Sequence, residues 1–264
     1  MVKIVAITNQ KGGVGKTTTA INLSAALASI HKKVFLIDLD PQGNATMGSG
    51  VDKGNLVSST MEVILGDILI SDAILHTPGN YDLLPANENL TIAEVSLLER
   101  VDREAFLFKA LSKLESHYDF ILLDCPPALN ILTVNALFAA HSVLIPMQCE
   151  YYALEGLSGL LNTLHQMSSS VNSLLKIEGI LRTMYDPRNR LSLEVSQQLV
   201  THFGNQLYNT VIPRNVRLAE APSHGLPALL YDRRSPGAAA YLALAEEFLC
   251  NQQKESHPFS IEKR

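Results

Sequence analysis

Residues 9–20 read "NQKGGVGKTTTA". They meet the end of the phosphate-loop pattern G-x-x-x-x-G-K-[ST] at Gly15-Lys16-Thr17, but Gln10 stands where the first glycine belongs. A glycine pair, Gly12 and Gly13, and an additional lysine, Lys11, occupy the front of the stretch instead. The flanks decide its meaning. Val2–Ile7 is a β-branched, strand-like run, and Thr17–Ser29 reads as a helix. Strand, glycine loop, Lys-Thr and helix form the context in which such a loop cradles phosphates. Glycines let backbone N–H groups curl around phosphate oxygens, and the helix start adds its positive dipole end. Lys16 then reaches the β- and γ-phosphates, and the Thr17 hydroxyl ligates Mg²⁺. Lys11, Gly12, Gly13, Val14, Gly15, Lys16, Thr17 and Thr18 are the candidate phosphate contacts. A glycine turn that merely packs strand on helix is the plain alternative. Two glycine signals, the Lys-Thr pair and both flanks together weigh against it.

The pattern extends along the chain. Strand-like runs recur at Lys33–Asp38, Tyr81–Leu84, "YDFILLDCPP", Ser142–Met147, Ile177–Met184 and Tyr208–Ile212. Helical segments fall at Arg103–His117, Ile131–Ala140, Ala153–Met167, Leu193–Phe203 and Gly237–Cys250, with less regular chain from about 52 to 89. Such alternation specifies βαβ units, hence an α/β fold with a doubly wound, mostly parallel sheet flanked by helices. Nothing divides residues 1–250, so one domain is expected; residues 251–264 are polar and aperiodic and read as a frayed tail.

Composition narrows the class. In 264 residues, 47% hydrophobic and 18% charged side chains suffice for a buried core and exclude a disordered chain. The longest apolar runs are strand-length, and the chain starts on a strand pattern without a secretory leader, so a cytoplasmic protein is expected. Cys125, Cys149 and Cys250 form no C-x-x-C pair and read as reduced thiols. The net charge of −5 by itself argues against a nucleic-acid partner. It is uneven, however. Residues 1–150 hold 10 basic and 16 acidic side chains, whereas 176–234 hold 8 basic, seven of them Arg, against 5 acidic. A mildly acidic protein can still present a basic face.

Three carboxylates complete the motif set. Asp124 ends "DFILLD", at the strand end where an α/β sheet opens its ligand crevice, and reads as the acid that holds Mg²⁺ directly or through water. Asp38 and Asp40 follow the second strand in "LIDLDPQGN"; two apart on extended chain, they need not share a face.

As a unit, "KGGVGKTT" resembles the deviant Walker A loop of the ParA/MinD family. The resemblance implies that Lys11 reaches across a two-fold interface to the partner's nucleotide, so the loop is altered rather than broken and a dimer sandwiches two ATPs. It also implies that Asp40 positions the attacking water while Asp38 supports the magnesium shell. "DLDPQGNAT", "DCPP", "IPMQCEYYALEGLSGLLNT" and "VIPRNVRLAEAPSHG" are similar to the chromosomal ParA (Soj) branch, and the likeness covers nearly the whole chain. That branch implies a sheet of about seven or eight strands, ATP-dependent hydrolysis that is slow until a partner stimulates it, non-specific DNA binding, a ParB-type partner and a place on the nucleoid. Arg188, Arg190 and Arg217 become the DNA-contact candidates; locally paired arginines beside Asp186, Glu194 and Glu220 are the plain alternative. Pro213, Arg214 and Asn215 become candidates for the base pocket, with a DNA role for Arg214 left open.

Three relatives of the motif fit less well. A MinD-type cell-division ATPase carries a basic amphipathic C-terminal helix, whereas "AAAYLALAEEFLC" is Ala-rich with Glu246 and Glu247, so no membrane partner is expected. An iron–sulfur protein needs cysteines placed to bridge a cluster. A plasmid partition protein with a leading helix-turn-helix needs chain ahead of the first strand. A nucleotide-gated adaptor with little hydrolysis is the alternative from another class.

Overall fold

The computed structural model describes residues 2–114 and 117–256. Its eight strands are β1 (Lys3–Ile7), β2 (Val34–Asp38), β3 (Leu75–His76), β4 (Asp82–Leu84), β5 (Phe120–Asp124), β6 (Ser142–Gln148), β7 (Lys176–Tyr185) and β8 (Leu207–Pro213). They form one sheet in the order β3-β4-β2-β5-β1-β6-β7-β8. Every pairing is parallel except β3 with β4. The mostly parallel, doubly wound sheet is therefore as expected.

Period-two alternation explains why both faces are covered. Ile4, Ala6, Phe35, Ile37, Ile121 and Leu123 enter one core. Their neighbours Val5, Ile7, Val34, Leu36, Phe120 and Leu122 enter the other. The first core is closed by α3 (Thr60–Leu65), α4 (Leu90–Leu98), α5 (Phe106–Leu111), α6 (Ile131–Ala139), α7 (Ala153–Ser170) and α8 (Arg190–Phe203). The second is closed by α1 (Lys16–Ser29) and α11 (Pro236–Ser256), with α2 (Asn44–Gly48), α9 (Val216–Glu220) and α10 (Ala228–Tyr231) at its margin. Leu23 and Leu27 of α1 and Phe248 of α11 are fully enclosed. Truncating such a leucine costs about 2–5 kcal/mol.

The structure departs from the sequence expectation in several elements. Residues 103–117 do not make one helix; α5 spans only Phe106–Leu111, and Glu115 and Ser116 lie outside the described residues. Helix α4 was not expected. The two-residue edge strand β3 adds the single antiparallel pairing. The last helix continues through residues 251–256; the remainder of the polar stretch, 257–264, lies outside the described residues. Among the described residues no helix is long and apolar enough to cross a membrane.

Candidate nucleotide site

The loop between β1 and α1 is built for close backbone approach. Gly13 at φ +73 and Gly15 at φ +89 are left-handed, which glycine adopts without a Cβ penalty. An added Cβ at Gly12 or Gly13 would meet nothing within 4 Å, so the space in front of the loop is open. Neighbouring strands hold the loop from behind. The Thr183 hydroxyl of β7 donates to the Val14 carbonyl at 2.7 Å, and Gln148 Nε2 of β6 donates to the Gly13 carbonyl at 3.1 Å. Asn9 Nδ2 donates to the Pro146 carbonyl at 2.8 Å while its Oδ1 accepts from Lys11 N at 3.0 Å.

The two lysines of the loop have opposite surroundings. Lys16 is 7% exposed, and its Nζ donates to the Lys11 carbonyl at 3.1 Å. Burial lowers its pKa, and the nearby charges of Asp124, the Cys125 thiol position and Asp40 act against that. Lys11 is exposed, and its ammonium forms an ion pair with Glu150, just beyond β6. This intrachain partner of Lys11 has no sequence signal, since 139 residues separate the two.

Parallel register sets the carboxylates side by side: Asp38 is the β2 partner of Asp124 on β5. Both are fully buried, yet their circumstances differ. Asp38 Oδ2 accepts from Thr46 N at 2.8 Å and Thr46 Oγ1 at 2.7 Å, and its Oδ1 accepts from Asp40 N at 3.1 Å. Burial raises its pKa to about 6, against these hydrogen bonds. Neither oxygen of Asp124 has a hydrogen-bond partner. Burial, then the charge of Asp38, hold the Asp124 carboxyl well above the usual carboxylate range; the Thr17 side chain and Lys16 act in the opposite direction. A buried carboxylate with free lone pairs is costly unless a cation faces it. Asp124 therefore suits a hard divalent cation, with the half-buried Thr17 beside it. Asp38 is chiefly engaged in closing the loop onto α2. Among the described residues no group of three or more His, Cys, Asp or Glu could hold a metal ion. Asp40 is half-buried, and its Oδ1 accepts from Gln42 N at 2.9 Å.

Beside the loop lies a cavity of about 160 Å³ lined by Gly15, Thr18, Pro213, Arg214 and Asn215, together with Thr183 and Met184. Pro213, Arg214 and Asn215 thus meet the phosphate loop. Met184, at φ +49, takes a conformation rare for a side-chain-bearing residue, a kind of strain that clusters at ligand sites. Thr183, Met184, Gln148 and Thr46 were not legible in the sequence as site residues.

Residues 2–177 match the AAA domain family. The chain is 52% identical over 252 residues to the sporulation initiation inhibitor protein Soj of Bacillus subtilis, covering 95% of this chain and 100% of that one. The chain belongs to the ParA/Soj family of chromosome-partitioning ATPases. It is 49% identical over 250 residues to the chromosome-partitioning ATPase Soj of Treponema pallidum, with 94% and 98% of the two chains covered. A solved structure of cobyrinic acid a,c-diamide synthase from Mycobacterium smegmatis, with bound ADP and magnesium, shares the fold at a TM-score of 0.85. It is 38% identical and covers 97% of both chains.

In this ParA/Soj chain the three DNA-contact candidates are all paired with carboxylates. Arg188 meets Asp186 at 2.9 Å, Arg190 meets Glu194 at 2.9 Å, and Arg217 meets Glu220 at 2.8 Å and Asp232 at 3.2 Å. Only Arg188 lies in a turn; Arg190 opens α8 and Arg217 lies in α9. Arg182 is engaged within the fold: its guanidinium donates to the Ser196 hydroxyl at 2.9 Å and to the Tyr208 and Asn209 carbonyls at 2.9 and 3.1 Å. The three cysteines are free, Cys125 and Cys149 buried and Cys250 exposed.

Proposed function

We propose that the chain is an ATP-dependent, dimerising ATPase that holds DNA without regard to sequence and, with a ParB-type partner, segregates chromosome or plasmid DNA on the nucleoid. The observation that carries this reading is the division between the lysines: Lys16 buried beside the unpartnered Asp124, Lys11 exposed on the same loop.

The backbone N–H groups of residues 12–17 and the start of α1 receive the β- and γ-phosphates, and Lys16 exchanges the Lys11 carbonyl for phosphate oxygen. Pro213, Arg214 and Asn215 take the base against Thr183 and Met184. Magnesium, when bound, would be held by Thr17 and Asp124, with Asp38 steadying the Asp40 turn, and would neutralise charge on the phosphates. Asp40 uses Oδ1 to fix its own turn on Gln42 N, which leaves Oδ2 to orient the attacking water and accept its proton. Such catalysis is alignment and charge neutralisation, so turnover stays slow until a second subunit or the partner completes the site.

Lys11 leaves Glu150 and bridges to the other subunit's triphosphate, which couples nucleotide to dimerisation. Two subunits together present twice the basic surface of one. By linkage, DNA then favours the ATP dimer by the factor with which the dimer favours DNA. The test is DNA co-sedimentation at several salt concentrations with MgATP, MgADP and no nucleotide, beside single-turnover hydrolysis. DNA retained only with ATP, and ATP hydrolysed, is the expected result. Binding indifferent to nucleotide refutes the switch, and retention without hydrolysis marks an adaptor.

A further inference from the structure

A further cavity, of about 630 Å³, lies at the other end of the sheet from the phosphate loop. Small-molecule sites occupy about 300–1,000 Å³. The strands explain its place. Lys32 and Lys33 lead into β2, Asp82 opens β4 and Tyr118 comes just before β5. These three strands run parallel to one another and to β1, so the cavity faces their N-terminal ends, whereas the phosphate loop follows the C-terminal end of β1. Helix α1 joins the two places. Lys16 begins it, and the turn after its last residue delivers Lys32 and Lys33, with His31 at φ +65 and Lys32 N donating to the Leu27 carbonyl at 3.1 Å. The 14 residues of α1, at about 1.5 Å each, keep cavity and loop about 21 Å apart.

Its lining is rich in positive charge: Lys32, Lys33 and Lys113 against one carboxylate, Asp82. Among the described residues none of these lysines has an ion pair. Both oxygens of Asp82 are engaged elsewhere, Oδ1 with His76 Nδ1 at 2.8 Å and Oδ2 with the Tyr118 hydroxyl, which donates at 2.7 Å. Asp119, beside the cavity, accepts the Lys33 main-chain N–H on Oδ2 at 2.9 Å. Three ammonium groups around one concave space repel one another, and an anion between them relieves that repulsion. Asn80, also on the wall, adds an uncharged donor.

We infer that this cavity binds a small molecule carrying two or more phosphate groups, at a site separate from the nucleotide site. A phosphate monoester carries about 1.5 to 2 negative charges at pH 7, so two of them balance three lysines. Lysine meets phosphate as a compact point charge with three rotatable donors, which suits groups that approach from different walls. The enclosed shape, set between strand ends, selects a small ligand over a polymer.

The test is isothermal titration of pyrophosphate, fructose 1,6-bisphosphate and citrate into the full chain. The protein is first saturated with a non-hydrolysable ATP analogue at fixed free Mg²⁺, so the phosphate loop is already filled. Saturable binding of one or both phosphate compounds, one per chain, is the expected result, with citrate weaker. Tighter pyrophosphate assigns the site to phosphate groups alone, and tighter sugar bisphosphate assigns it to phosphates borne on an organic body. Lys33→Ala with Lys113→Ala weakens this binding by about tenfold or more. Lys33→Arg with Lys113→Arg keeps most of it, which separates lost charge from lost fold. Arg100→Ala with Lys254→Ala removes the same charge from exposed positions elsewhere and leaves the binding unchanged. No saturable binding by wild type, or equal losses in the two alanine variants, overturns the inference. Citrate bound as tightly as the phosphate compounds overturns the assignment to phosphate.

Discussion

Lys16 Nζ donates to the backbone carbonyl of Lys11 at 3.1 Å, so the two lysines of the loop are joined, side chain to main chain. One is enclosed beside Asp124, and the other extends to Glu150 on the surface. A single short loop thereby carries an inward and an outward cation. Replacing the inward one, Lys16→Ala, is expected to remove the thermal stabilisation that saturating MgATP gives the wild type. Stabilisation of about 2.7 kcal/mol accompanies ligand at 100 times its Kd, and scanning calorimetry with and without nucleotide reads its loss. An undiminished shift in the variant would remove Lys16 from the phosphate site.

The outward cation is restrained at home by an exposed ion pair, and such pairs contribute about 0–1 kcal/mol. Glu150→Gln is therefore expected to make ATP-dependent self-association tighter, by up to about fivefold. Sedimentation equilibrium of the two proteins with a non-hydrolysable ATP analogue measures it. Weaker association in the variant would show that Glu150 supports the assembled state instead.

Asp124 has no hydrogen-bond partner for either oxygen, so Asp124→Asn removes charge at nearly constant shape. Its folded-state pKa lies above the unfolded value, so it contributes stability that is complete below the unfolded pKa and is lost as pH rises through the folded one. In magnesium-free buffer the variant is expected to melt above wild type at pH 7.5, its unfolding free energy being larger by about 1–3 kcal/mol. The gap closes as pH falls toward 4. The variant also loses the magnesium-dependent part of nucleotide binding. Equal melting at both pH values would mean that the carboxylate is compensated.

These outcomes separate what the chain announced from what it concealed. Local patterns sufficed for the β1–loop–α1 unit, because β-branched residues, glycines and Lys-Thr are adjacent in sequence. Asp38 and Asp124 were legible as strand-end acids, since a parallel sheet gathers its C-terminal ends. Their different surroundings were not, because Thr46 reaches Asp38 only once α2 folds back over β2. The expected helix over 103–117 proved short because α5 packs just one turn and a half on α6, with Asn135 Oδ1 receiving Leu107 N at 3.1 Å. Two-residue β3 is too short for periodicity to reveal. Lys11 with Glu150, and Arg217 with Asp232, are tertiary meetings that carry no trace in local pattern.

The loop is also held from outside its own sequence, by Thr183 on β7. Thr183→Val keeps the volume but removes the donor to the Val14 carbonyl, at a cost of about 1 kcal/mol. Weaker ATP affinity, by about three- to tenfold with the fold retained, is the expected result in isothermal titration. Unchanged affinity would show that the glycine geometry alone shapes the loop.

The most direct measurement is sedimentation velocity of wild type and Lys11→Ala at equal concentration, each saturated with Mg²⁺ and a non-hydrolysable ATP analogue, with nucleotide binding titrated in parallel. Wild type is expected to sediment as a dimer, and Lys11→Ala as a monomer that still binds the analogue. A Lys11→Ala protein that dimerises as wild type does would contradict the account, because the outward lysine would then have no part in joining the subunits.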